Sequence, residues 1–147
     1  MANQLFQNFK NLRADLEAYK NLFSTEDKLG RLFAMRITEL TSSECWVEYM
    51  VRPEHFNPNG ILHGGALYSV MDSGQGAFVH FILDEKYRFA ATGTSTIRYT
   101  QPVTEGLIKI RTWLEKTEGR KLFIRSTAFN KDSQIVAELE EIWIAVV

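Results

Sequence analysis

Only one cysteine, Cys45, stands in 147 residues. No internal disulfide framework and no cysteine-based zinc site can therefore form, and a reducing compartment is the natural setting. Charge of either sign is not in excess: 17 basic side chains against 18 acidic ones leave −1. The basic footprint of a nucleic-acid binder is missing, so no nucleic-acid partner is expected. No apolar run approaches the roughly 18 residues of a membrane helix. The start, Met1-Ala2-Asn3-Gln4, lacks a basic segment leading into an apolar one. A soluble, cytoplasmic protein without a membrane partner is expected. Proline is also scarce. Pro53, Pro58 and Pro102 are the three, and no linker divides the chain. One domain is expected over 1–147, with 1–29 as a helical extension.

What the chain has in quantity is aromatic side chain: ten Phe, five Tyr and three Trp. Either the core is unusually aromatic, or part of this surface is buried against another subunit or a ligand.

The element pattern opens with a helix over 4–23. Leu5, Phe9, Leu12, Leu16, Tyr19 and Phe23 form one stripe at helical spacing, with Asn3 as N-cap. Ser24-Thr25-Glu26-Asp27 fits a capping box for a short helix that Gly30 stops. Strands are expected at 31–40 and 44–52, and a loop at 53–62 around Pro53, Pro58 and Asn59-Gly60. A second helix, 64–82, is apolar nearly all round and must be buried nearly all round. Four strands follow at 89–101, 106–116, 121–129 and 134–146, the last three as an antiparallel meander. The fold class is α+β, one very apolar helix beside about six antiparallel strands.

Chemistry concentrates in His63-Gly64-Gly65-Ala66-Leu67-Tyr68-Ser69-Val70-Met71-Asp72. First-turn N–H groups of a helix have no intrahelical acceptor, and the helix dipole adds positive charge there. With no side chains at 64 and 65, an oxyanion can approach. The same glycines also suit a tight turn, so the motif alone leaves both readings open. Asp72 is a carboxylate two turns into an apolar helix. Lone buried carboxylates are costly, so it has either structural partners (Ser69, Gln75 or a strand) or a function. Asn57 suits a turn before Pro58. His55 and His63 lack the i, i+4 spacing of a helical metal pair, and no metal is expected. His63 orients the loop rather than acting as a base. His80 suits a helix C-terminus, and Cys45 reads as an inert core thiol. No Gly-x-Ser-x-Gly, phosphate loop or dinucleotide fingerprint occurs.

Asn57-Pro58-Asn59-Gly60-Ile61-Leu62-His63-Gly64-Gly65, with Asp72 nine residues after the histidine, resembles the PaaI-like branch of the hotdog-fold acyl-CoA thioesterases. Thr92, Ile97, Tyr99 and Pro102 resemble that family's next strand, and the likeness covers roughly 30–147. It implies a long central helix wrapped by a curved antiparallel sheet, a homodimer or dimer of dimers, and active sites between subunits. It implies an acyl-CoA substrate and no cofactor. Gly64 would polarise the thioester carbonyl, with Gly65 beside it. Asp72 of the facing subunit would be general base or nucleophile, Asn57 would position water or thioester, and Thr92 would bond near the carboxylate. Phe56, Tyr68, Met71, Phe78, Phe81 and Phe89 are candidates for an acyl pocket. Arg88, Arg98, Lys109 and Lys121 are either phosphate partners or ordinary solvated charges. Two other readings stay open: a non-catalytic acyl-CoA binder, and a hotdog hydratase or dehydratase using His63 and Asp72.

Overall fold

The computed structural model describes residues 2–147, with side chains from 4 onward. It is a hotdog fold. Its centre is α4 (Gly64–Ile82), whose boundaries match those expected from the sequence. Val70, Met71, Ala77, Phe78 and Val79 are inaccessible to solvent, as an all-round apolar helix requires.

Around it curve β1 (Arg36–Leu40), β2 (Glu44–Met50), β3 (Phe89–Tyr99), β4 (Leu107–Glu118), β5 (Lys121–Phe129) and β6 (Ile135–Val146). They form one antiparallel sheet in the order β1-β2-β4-β5-β6-β3. The expected meander is β4–β5–β6. Strand β3 follows α4 and closes the far edge beside β6, so its outer backbone edge is unpaired among the described residues. Most of β3 is exposed.

Two local features of β3 and β6 position the site. In β6, Ala137, Leu139, Glu141, Trp143 and Ala145 alternate inward and are all buried. In β3, the register slips between Thr92 and Thr94. This bulge leaves Gly93 as the extra residue. Thr92 pairs with Trp143 and Ser95 with Glu141. Residues three apart normally face opposite sides of a sheet; the bulge turns both onto the inner face.

The N-terminal region departs from expectation. The single helix over 4–23 is two, α1 (Ala2–Asn11) and α2 (Leu16–Glu26). Asp15 caps the second, accepting from the Ala18 N–H at 3.2 Å. The break has a physical reason. Arg13 lies in it and donates to the carbonyls of His80 (2.9 Å) and Leu83 (2.7 Å), groups left without helical partners at the end of α4. Breaking the helix folds one continuous apolar stripe around that end. Phe9, Tyr19 and Phe23 are buried, while Leu5, Leu12 and Leu16 pack on the core's margin. Asn3, expected as the cap, lies inside α1, which already begins at Ala2.

Gly30 does not end the next helix. It sits inside α3 (Lys28–Leu32), whose cap is Asp27, and β1 begins five residues later than expected for that reason. No helix among the described residues is long and apolar enough to cross a membrane.

Candidate active site

The loop before α4 is built by its own polar side chains. Asn57 Oδ1 accepts from the Asn59 N–H at 2.9 Å, and the Asn57 N–H donates to Ile61 O at 2.9 Å. Gly60 completes the turn at φ +75°, a conformation suited to glycine. His63 caps α4: its Nδ1 accepts from the Gly65 N–H at 2.9 Å. The ring therefore orients the helix start, as expected, and Gly65's N–H is spoken for.

Gly64's N–H has no acceptor among the described residues. Gly64 lines a cleft of about 330 Å³ together with Asn57, Leu67, Tyr99, Gln101 and Val103. Tyr99 packs so closely that a Cβ on Gly64 would lie 3.0 Å from its ring, and its hydroxyl donates to Gly64 O at 2.6 Å. The open N–H at a helix N-terminus is a ready donor to an oxyanion.

The second half of the site lies two turns further along α4. Asp72 is half-buried and its Oδ1 accepts from the Thr92 hydroxyl at 3.3 Å. Beside it is a residue that sequence reasoning missed. Glu141 is 1% exposed. Its Oε1 accepts from Ser95 (2.7 Å) and Tyr68 (3.1 Å), and its Oε2 from the Trp143 indole (3.1 Å). The same indole donates to Gln75 Oε1 at 2.9 Å, and Gln75 donates to Ser126 Oγ at 3.0 Å. A polar chain thus crosses the core from β5 to Glu141.

Two carboxyls in one desolvated place cannot both ionise cheaply. Burial and the Asp72 charge push Glu141 up to about 7. Burial likewise raises Asp72, while bonds from Glu141 and Thr92 pull it back. The legible signal for Glu141 was its parity: it occupies the inward register between Leu139 and Trp143.

The structure brings Thr92 and Tyr68 to the carboxyl pair, and Asn57 to Gly64. Phe56 packs at the core's margin, bridged to Leu62, and does not line the cleft at Gly64. Of the acyl-pocket candidates, Met71 and Phe78 are wholly core, Phe81 packs against Tyr19, and Phe89 stacks on Phe6 at 5.2 Å. Cys45 is inert: burial pushes its thiol up to about 12.

His80 is also closed off. Its Nδ1–H donates to Gly76 O at 2.9 Å, its Nε2 accepts from the Ala90 N–H at 3.3 Å, and burial lowers its pKa.

Comparison with known proteins bears on the family and the fold. The family model described as "Thioesterase superfamily" matches residues 59–137. A protein of Archaeoglobus fulgidus named "Putative esterase" is 35% identical over 57 residues, which is 39% of this chain and 37% of the relative. The chain thus spans about a third of that relative's length. Among solved structures, a mutant thioesterase from Pseudomonas aeruginosa superposes with TM-score 0.80 at 13% identity, covering 86% of this chain and 93% of the other. The Escherichia coli PaaI protein from the phenylacetic acid degradation operon superposes with TM-score 0.74 at 15% identity, covering 84% and 87%.

Proposed function

The chain belongs to the thioesterase superfamily, and from that premise we propose that it hydrolyses acyl-CoA thioesters to a free acid and coenzyme A. The observation that carries this reading is the pairing, on one helix, of an unoccupied N-terminal N–H at Gly64 with a desolvated carboxylate at Asp72. A thioester is already activated, so its hydrolysis needs an oxyanion donor and a placed base more than a strong nucleophile.

The two groups lie eight residues apart on α4, about 12 Å along the axis at 1.5 Å per residue. One carbonyl cannot meet both in a single copy. The site is complete when Gly64 of one copy faces Asp72 of another. The long unpaired edge of β3, next to Asp72, supports a homodimer, since such edges otherwise invite uncontrolled pairing. A dimer of dimers extends the same reading. Light scattering that finds a monomer at micromolar concentration overturns it.

In the reaction, Asp72 takes a proton from water as the water oxygen bonds to the thioester carbon. The Gly64 N–H receives the developing oxyanion. Collapse breaks the carbon–sulfur bond, and the departing thiolate takes up the proton. Thr92 holds Asp72 in place. Asn57, on the cleft beside Gly64, positions the thioester, and Gly65 and Tyr68 shape the two ends of the site.

The test is thiol release from short, medium, long and aryl acyl-CoAs by wild type and Asp72→Ala. Turnover by wild type that Asp72→Ala loses supports the reading; two proteins indistinguishable from buffer overturn it. Binding without turnover leaves an acyl-CoA binder. The hydratase alternative needs His63 as a base, but its Nδ1 is committed to capping α4. Enoyl-CoA hydration, followed by absorbance, separates that case.

A further inference from the structure

Asp72 borders a second cleft, of about 240 Å³, that runs away from the carboxyl pair between α4 and the N-terminal helices. Its far wall is Phe6 and Phe9 of α1 and Phe23 of α2, facing Gly76 and Trp143. This wall is not loosely attached. Arg13 is bonded to two carbonyls at the end of α4, Tyr19 donates to Ala77 O at 2.7 Å, and Lys10 donates to Glu85 O at 2.8 Å. Phe6 stacks on His80 at 4.8 Å and Phe9 packs on Phe23 at 5.8 Å. The apolar stripe of the N-terminal helices therefore does two things: it covers the end of α4 and it forms one wall of a largely apolar groove that borders the candidate base.

We infer that this cavity receives the acyl tail of the thioester, and that the N-terminal helices, through Phe6, Phe9 and Phe23, set the largest acyl group accepted. The inference rests on the thioesterase reading above. A dry apolar cavity of about 150 Å³ holds a benzene ring. The present one suits a single ring or a medium unbranched chain and stops a long one. Each further methylene removed from water favours binding, so kcat/KM climbs along a chain-length series until the tail meets the aromatic wall. Glu26 and Asp27 stand at the cavity's rim, so acyl groups ending in a carboxylate are rejected.

Two variants move the wall in opposite directions. Phe6→Ala opens it. Gly76→Ala fills it: the added Cβ would sit 3.5 Å from Trp143 and 3.6 Å from Phe23, ordinary contact distances that need no rearrangement. The measurements are kcat/KM for acetyl-, hexanoyl- and dodecanoyl-CoA, and calorimetric Kd for the non-hydrolysable thioethers S-hexyl-CoA and S-dodecyl-CoA. Phe6→Ala is expected to raise the dodecanoyl-to-hexanoyl ratio on the order of tenfold, and Gly76→Ala to lower the hexanoyl-to-acetyl ratio similarly. The thioether affinities should shift in the same sense. Hydrolysis with neither ratio nor affinity moved in folded variants overturns the cavity assignment and leaves the thioesterase reading standing. No hydrolysis, but thioether affinities that shift as stated, overturns the thioesterase reading and keeps the cavity as an acyl site. Neither hydrolysis nor thioether binding overturns both.

Discussion

Asp72 and His80 stand eight residues apart on α4, and the fold treats them oppositely. Around His80 every polar atom has one partner of the right kind. A carbonyl takes its proton, an amide gives it one, and burial keeps the ring neutral. Around Asp72 the fold has placed a second carboxyl, and burial raises both. One side remains half-open and borders a cavity. A buried ionisable group whose partners cancel its needs is structural. One whose partners leave it short of a proton, beside open space, is arranged for chemistry.

The largest expected effects test that contrast directly. Asp72→Asn should lower kcat/KM by about 10²–10⁴, the usual contribution of a placed base, without lowering Tm. It removes a desolvated charge facing Glu141. His80→Ala should instead lower stability by about 2–4 kcal/mol, from two lost buried hydrogen bonds and a cavity. Thermal melts of the two variants beside wild type decide it. A comparable loss of Tm in both would show that Asp72 is structural too.

The next effect concerns the other end of α4. Gly64→Pro removes the N–H proposed as oxyanion donor, at the first helical position, where proline is tolerated. His63 already has the extended backbone that must precede a proline. Gly64→Ala keeps the N–H but presses on Tyr99 in the same way. The proline variant should fall below the alanine variant in kcat/KM by about 10²–10³. Equal rates would remove Gly64's N–H from the mechanism.

Parts of this were legible in the residues and parts were not, for identifiable reasons. Helix α4 was readable to its ends, because two glycines open it and a nearly unbroken apolar composition runs to Ile82. Gly64, Asp72 and Thr92 were assigned their roles by resemblance alone, and the structure bonds Thr92 to Asp72. The break between α1 and α2 was hidden because the apolar stripe runs through it unchanged. Only the distant carbonyls that Arg13 satisfies reveal it. Glu141 was hidden in the run Glu138-Leu139-Glu140-Glu141, which looks like a solvated strand. The bulge at Gly93 could not be foreseen at all, since one inserted residue changes which side chains face inward without changing composition.

The smallest expected effect sharpens the contrast most, because it reads the two groups on one pH axis. Glu141 is raised in the folded state, so between its ordinary value and about 7 the native protein holds a proton that the unfolded chain has lost. Stability from this group falls as pH rises through that window, by up to about 1.4 kcal/mol per pH unit. His80 is lowered, so below its ordinary value the unfolded chain binds a proton that the native state refuses, and stability falls as pH falls. Glu141→Gln keeps one acceptor oxygen, for the Trp143 indole, turns an NH2 toward the Ser95 hydroxyl, which can accept from it, and carries no charge. Its Tm should decline less than wild type between pH 5 and 8, while the acid-side decline from His80 persists in both. An amide is a weaker donor to Asp72 than the Glu141 carboxyl group that pulls its pKa back, so Asp72 should ionise at higher pH. The acid limb of kcat/KM should then move up. Melts and pH–rate profiles of the two proteins measure this. An unmoved acid limb would mean that Asp72 works without regard to its neighbour, and that Glu141 belongs with His80 among the groups the fold has closed.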